Sequence, residues 1–280
     1  MTDTIDAYGV RVPPPLPPER TFAYGGHERH RIDFWQAKGG NGIAPLVFFV
    51  HGGAWRTGDK ALDTGYWKMT HFPQAGYALA AINYRLVPHA TLEEQAEDAA
   101  NALRAVLDHA GELGVDPARV ILMGHSAGAH LVALLGIDET WLRAAGLSLS
   151  QIAGVIGIDG AAYDAPMQIA MIQPDWRGAF IDAFGEEPER QRRLSPRFHT
   201  AAPNAPHFLL LHMPHRADGG IRQMQELAEA LRAAGSTARI VEVATEGVET
   251  GHHELNQLMG QPGHGTTVAV DQWLGDLFGR

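Results

Sequence analysis

The stretch "VILMGHSAGAHL", residues 120–131, governs how the rest of the chain is read. Four apolar residues run into Gly-His-Ser-Ala-Gly, and "AGAHLVALLG" leads out as a small-residue, apolar segment. A buried strand, a tight turn and a helix are what this pattern encodes. The spacing Gly124-x-Ser126-x-Gly128 has a steric reason. A serine at the tip of a strand-to-helix turn sits in a strained backbone conformation, so its neighbours two residues away must lack a Cβ where strand and helix close on each other. A helix starting at Ser126 also aims N–H groups and its positive dipole end at the hydroxyl, where an oxyanion would form. Ser126 is therefore a candidate nucleophile; the bland alternative is one small residue in a glycine-rich turn.

Outward from this stretch, short and nearly continuous apolar runs recur at residues 45–50, 77–84, 119–124, 152–159, 207–212 and 238–243. Runs of this kind read as strands buried on both faces. Between them lie helical stripes. Leu92, Ala96, Ala99, Leu103, Val106 and Leu107 share one face, and Thr91 with Glu94 makes a capping box at its start. Ile221, Met224, Leu227, Ala228 and Leu231 form a second stripe, ending at Gly235, and Val270, Trp273, Leu274 and Leu277 a third. The alternation predicts an α/β fold with a mostly parallel central sheet and helices on both faces.

Composition bounds the function. The chain has 280 residues, 45% of them apolar, which suits one α/β domain of ordinary size. With no cysteine, disulfides, thiolate metal sites and cysteine nucleophiles are excluded, so a nucleophile must be oxygen or nitrogen. The formal net charge of -10 argues against nucleic-acid binding through the overall field. The N-terminus has an acidic start without an apolar core, and no apolar run reaches the roughly 18 residues of a membrane span. A cytoplasmic protein with no membrane partner is the expectation.

Two segments break the rhythm. "VPPPLPPE", residues 12–19, belongs to a proline-rich arm, residues 1–20, expected to run extended ahead of the main domain, residues 21–280. That arm also offers a contact for a second copy of the chain, so a homo-oligomer stays open. Residues 160–204 carry Pro166, Pro174, Pro188, Pro196 and Pro203 with several aromatic residues, and read as a cap or lid insertion between strands. Its aromatics include Tyr163, Trp176 and Phe180, candidates for the substrate pocket.

A second glycine motif, "HGGAWRTGDK" at residues 51–60, follows the first buried run. Glycines let N–H groups turn inward without a side chain in the way, which completes an oxyanion hole at this place. The expected donors are Gly53 and Ala54, joined by Ala127. Trp55 is a candidate wall of the acyl pocket, and His51 is expected to order the loop by hydrogen bonding. A serine hydroxyl needs a base and the base an orienting acid. In this architecture the histidine comes last, which puts the base among His252, His253 and His264, with His252 preferred and His253 its rival. "HHE" lacks the His-Glu-x-x-His spacing of a zinc site, so neither metal nor cofactor is expected. The loop after residues 207–212 offers Asp218 as the acid. Its bland reading is a helix N-cap, and Asp159 is the alternative acid.

With these motifs in place the chain resembles the α/β-hydrolase superfamily. Within it the chain is similar to small carboxylesterases with a His-Gly-Gly-x-Trp loop, a group that includes hormone-sensitive-lipase-like and feruloyl-esterase-like enzymes and arylformamidases. The matching stretches are "HGGAWRTGDK", "INYRLVPHATLEEQAEDAANAL", "DPARVILMGHSAGAHLVALL", "SPRFHTAAPNAPHFLLLH" and "GHHELNQLMGQPG", from about residue 45 to the C-terminus. The resemblance implies Ser126 as nucleophile, Asp218 as acid, His252 as base and Gly53, Ala54 and Ala127 as oxyanion donors. It also implies cleavage of carboxylic esters of small or aromatic acids through an acyl-enzyme. "GHSAGAHL" is similar to the arylformamidase elbow, which makes a formamide hydrolase the alternative, and a non-catalytic ligand-binding protein the remote one. There are two departures: Ala54 stands where a third glycine is common, and "HMPHRADGG" is longer than the usual strand-Gly-x-x-Asp form.

Overall fold

The computed structural model describes residues 4–39, 42–214, 216, 218–247 and 250–279. Its main sheet has eight strands, β3 (Arg20–Ala23), β4 (Arg31–Trp35), β5 (Ala44–Val50), β6 (Ala78–Ile82), β7 (Val115–His125), β8 (Ile152–Ile158), β9 (His207–His212) and β10 (Thr237–Glu242), preceded by the short β1 (Thr4–Ile5) and β2 (Arg11–Val12). The spatial order is β10-β9-β8-β7-β5-β6-β4-β3. β4 runs antiparallel to β3 and β6, and the other pairings are parallel. The helices are α1 (Lys60–Asp63), α2 (Tyr66–Gln74), α3 (Leu92–Asp108), α4 (Ala110–Leu113), α5 (Ala127–Ile137), α6 (Glu139–Ala144), α7 (Ala165–Met171), α8 (Pro174–Phe184), α9 (Pro188–Arg193), α10 (Gly220–Ala233), α11 (Gly251–Gln257) and α12 (Gly265–Phe278).

The period-two alternation of a strand explains why the central runs are apolar throughout. Leu46, Phe48 and Val50 of β5 face one apolar layer with α3, α5 and α10, whereas Val47 and Phe49 face the other with α2 and α12. Each such side chain contributes about 1.5–3 kcal/mol on burial, and both faces of the sheet are filled this way. The capping box at α3 forms as its spacing predicts: Glu94 N donates to Thr91 Oγ1 at 3.2 Å and Thr91 N to Glu94 Oε2 at 2.8 Å.

Residues 20–35 carry two strands that the apolar runs did not announce. β3 and β4 extend the main sheet as an antiparallel pair, and their short segments carry Arg20, Arg31 and Asp33, which hide them from a search for continuous apolar runs. The proline run ahead of them is extended and pinned where Trp35 Nε1 donates to the carbonyls of Leu16 at 3.0 Å and Pro17 at 3.1 Å. β1 and β2 form a separate two-stranded antiparallel sheet.

The sheet order positions the site. β6 lies on one side of β5 and β7 on the other, so the connections leaving β5 and β7 run in opposite directions and a crevice opens at their carboxyl ends. Ligands bind at such a switch point in open α/β sheets. The two glycine motifs follow these two strands. No helix among the described residues is long and apolar enough to cross a membrane.

Candidate active site

At the end of β7, Ser126 adopts φ 53° and ψ -117°, a conformation that L-residues avoid, and α5 begins at the next residue. The flanking glycines are required by backbone approach. A Cβ on Gly124 would lie 2.3 Å from the Gly128 carbonyl oxygen, and one on Gly128 would lie 2.1 Å from that of Val50. Because the obstacle at Gly128 is the backbone of a central strand, Gly128→Ala is expected to destabilise the protein by about 3 kcal/mol, lowering Tm by roughly 6–12 °C. A thermal melt within 2 °C of wild type would show that the elbow can relax.

The loop after β5 lies directly against this turn: a Cβ on Gly52 would lie 3.1 Å from Ser126 Cβ. Gly53 has φ 113° and Ala54 φ 49°, so the chain doubles back here, and Thr57 N donates to the Gly53 carbonyl at 2.9 Å. Among the described residues no acceptor takes the N–H groups of Gly53 and Ala54. Ala127 is the first residue of α5, whose leading N–H groups have no partner inside the helix. His51 orders the loop as expected. Its ring stacks on Tyr84 at 4.5 Å and Nδ1 donates to the Gly52 carbonyl at 2.6 Å. Burial brings its pKa down to about 4, so it stays neutral.

The third component comes from α11. His252 Nδ1 donates to Asp159 Oδ2 at 2.5 Å. Both His252 and Ser126 line one cavity of about 910 Å³. His253 lines the same cavity, but its ring stacks on Tyr8 with centroids 3.8 Å apart. Burial, then the neighbouring His252, lowers its pKa to about 4. His264 caps α12 by accepting from Thr266 N. The three histidines that the sequence left as rivals are thus separated by their partners.

The acid expected from the sequence is corrected by the structure. Asp218 does not hold His252. Its carboxylate accepts from Arg216 Nη2 at 2.6 Å, Arg216 Nε at 3.1 Å, Gln168 Nε2 at 2.8 Å and Gly220 N at 3.0 Å. Burial would raise its pKa, but the Arg216 hydrogen bond and charge bring it to about 2. Its bonds to Gly220 and Arg216 fix the start of α10 and the loop, close to the capping role that was its bland reading. Asp159 takes the place at His252. It leaves β8 with φ 45°, fully buried, and burial is outweighed by Arg216 and His252, which hold its carboxyl below the usual range. His215 and Ala217 of this loop lie outside the described residues.

Four of the five non-glycine residues with positive φ among those described are Ala54, Trp55, Ser126 and Asp159, at the ends of β5, β7 and β8. Each such conformation costs about 1–3 kcal/mol, and clustering at one crevice is how functional sites store strain.

Residues 160–204 supply one wall of the cavity. Ile172, Trp176, Ala179 and Phe180 line it, with Trp176 58% exposed at the mouth. Trp55 lines it as well, held edge-on between Phe180 and Phe184 at 5.2 and 5.0 Å. Tyr163 does not line the cavity, a second correction: its hydroxyl is wedged over the backbone, 2.1 Å from where a Gly160 Cβ would stand. Gln168 of α7 is fully buried, and its side chain bonds Asp218, Ala162 N and Gln223.

Other site residues escaped the sequence. His125, the variable residue of the serine motif, donates from Nε2 to the His252 carbonyl at 2.9 Å, and burial holds its pKa well below the ordinary range. Tyr8, from the arm, lines the cavity and donates to Asp63. Lys68 is buried beneath α11 and donates to Asn256 Oδ1 at 2.9 Å. Only the adjacency of His125 to Ser126 could have signalled any of them. Among the described residues no cluster of His, Asp and Glu is arranged to hold a metal ion.

Comparison with known proteins gives the family and the fold. The BD-FAE family model matches residues 32–225. A probable isoprenylcysteine alpha-carbonyl methylesterase of Arabidopsis thaliana is 31% identical over 236 residues, covering 79% of this chain and 55% of the relative. The probable carboxylic ester hydrolase LipM of Mycobacterium tuberculosis is 26% identical, covering 92% of this chain and 61% of the relative. The chain spans about half the length of the plant relatives it matches. Among solved structures, esterase B from Lactobacillus Rhamnosis superposes with a TM-score of 0.76 at 20% identity, over 95% of this chain and 87% of that one. Thermogutta terrifontis esterase 2 phosphonylated by sarin gives 0.71 at 22% identity, over 95% of each chain. With a mostly parallel sheet, a serine at a strained strand-to-helix turn and a family match across most of its length, the chain belongs to the BD-FAE family and has the α/β-hydrolase fold.

Proposed function

We propose that the protein is a serine hydrolase that cleaves carboxylic esters of small or aromatic acids. The observation that carries this reading is the His252 Nδ1–Asp159 hydrogen bond of 2.5 Å beside a strained Ser126 in one cavity. His252 Nε2 accepts the Ser126 proton as Oγ attacks the ester carbonyl. The N–H groups of Gly53, Ala54 and Ala127 receive the oxyanion, each such donor contributing about 2.7–4 kcal/mol. His252 then gives its proton to the departing alcohol, leaving acyl-Ser126. Water, deprotonated by the same histidine, releases the acid and restores the hydroxyl. Asp159 stays ionised throughout and stabilises the imidazolium.

Relatives named as carboxylic ester hydrolase and methylesterase support the ester bond as the target. Residues 160–204 serve as the lid, with Trp176, Phe180 and Trp55 forming the acyl wall, and a small-molecule substrate in the cytoplasm belongs to the same proposal. The test is labelling by a fluorophosphonate probe together with turnover of 4-nitrophenyl acetate, a feruloyl ester and N-formylkynurenine. Labelling with faster turnover of the two esters is expected. An unlabelled protein would remove the nucleophile, and a preference for the formamide would replace the ester reading while keeping Ser126.

A further inference from the structure

Arg216 stands between two carboxylates from different loops, Asp159 at the end of β8 and Asp218 after β9. It is nearly buried, and Nη1 lies 3.1 Å from Asp159 Oδ1 while donating to the carbonyls of Asp159 at 3.0 Å and Gly160 at 2.8 Å. Its Nε and Nη2 take Asp218 in a two-pronged pair. Asp159 therefore presents Oδ2 to His252 and Oδ1 to Arg216, with Met213 N adding a bond to Oδ1 at 3.2 Å.

We infer that Arg216 is a positioning residue that sets how much negative charge Asp159 presents to His252, and that Asp218 sets how much of the guanidinium Asp159 receives. The inference rests on the reading of Ser126, His252 and Asp159 as the reacting set. A buried carboxylate shared with a cation stabilises an imidazolium less than an unshared one does, because its field is partly cancelled. Removing Asp218 frees Arg216 for Asp159, and removing Arg216 frees Asp159 for His252.

The other groups facing this pair come from separate elements. His125 ends β7 and His253 lies on α11, and burial keeps both neutral. Lys68 of α2 lies beneath α11 and is pushed well down by burial. Tyr8 of the arm is pushed up by burial and by Asp63, so its hydroxyl is uncharged. Asp63 of α1 lines the same cavity. Of these groups, Arg216 is the cation bonded to Asp159, and Asp218 is its counter-ion.

The test is the pH dependence of kcat/KM on 4-nitrophenyl acetate for wild type, Arg216→Met, Arg216→Lys and Asp218→Asn, each checked for fold by circular dichroism. The acid limb of kcat/KM reports the base of the reacting set in the free enzyme. Arg216→Met is expected to move that acid limb up by about half a pH unit to one unit, and Asp218→Asn to move it down. Arg216→Lys keeps the charge and should return the limb towards wild type while kcat stays reduced for want of the planar fork. Opposite displacements are the signature, since loosening the loop alone would not give them. Limbs that coincide with wild type, or move the same way, overturn the inference. If Arg216→Met does not fold, Asp218→Asn decides: a downward limb supports the inference and an unmoved or upward one overturns it. Fluorophosphonate labelling of wild type separates the two levels. A labelled wild type with unmoved limbs overturns only the role of Arg216, whereas an unlabelled one overturns the reacting set as well.

Discussion

Ser126→Ala is expected to lower kcat on 4-nitrophenyl acetate by about 10⁵- to 10⁶-fold, with KM and the melting temperature nearly unchanged. The nucleophile creates the covalent path, and without it only the oxyanion donors and the bound geometry act on water, a residual of about 10³–10⁴ over the uncatalysed rate. The fold should persist because the substitution removes one oxygen at a cavity wall, and the strain at φ 53° is held by Gly124 and Gly128 rather than by the hydroxyl. A variant retaining more than about one-hundredth of wild-type kcat would remove Ser126 from the mechanism.

The second large effect separates two aspartates. Asp159→Asn is expected to cost about 10³–10⁴ in kcat, because an amide in place of the carboxylate no longer selects the Nδ1–H tautomer nor stabilises the imidazolium. With Nε2 protonated instead, His252 has no lone pair for the serine. Asp218→Asn, whose carboxylate bonds Arg216 and Gln168, is expected to lose no more than about tenfold. Measured side by side on folded protein, the reverse ranking would return the acid to Asp218 and refute the assignment made from the 2.5 Å bond.

The difference between these residues marks where the sequence ceased to be informative. Six apolar runs located β5 to β10; β5 to β9 are buried on both faces and have no polar alternation to blur them, whereas β10, the edge strand, is half-exposed and carries Arg239 and Glu242. Gly124 and Gly128 located the elbow, since a Cβ at either would stand 2.1–2.3 Å from a backbone oxygen, which leaves glycine as the residue that fits. A carboxylate carries no such signature. Asp159 reads as the last residue of an apolar run, and nothing in its neighbours announces that the chain turns to φ 45° and aims it at a helix 93 positions later. Asp218 occupies the expected loop, but two residues before it Arg216 satisfies it. Tyr163 fails for a related reason: its type suits a pocket wall, whereas the small residues Gly157 and Gly160 draw its hydroxyl onto the backbone. Tyr8 was hidden by distance along the chain, since stacking on His253 depends on where the short β1–β2 turn is laid.

Gln168 gives residues 160–204 a bearing on protein engineering. Its amide has two donors and two acceptor positions, and all four are used: two on the Asp218 carboxylate and carbonyl, one by Ala162 N and one by Gln223. The helix that carries it belongs to the same segment as Trp176 and Phe180, so part of the cavity wall and the prop beneath Asp218 are made from one continuous piece of chain. Transplanting a foreign segment between β8 and β9 to change specificity is therefore expected also to change the loop of Arg216 and Asp218, unless the donor sequence brings a glutamine to the same place. A library restricted to the cavity-facing positions 172, 176, 179 and 180 keeps that prop and alters only the wall.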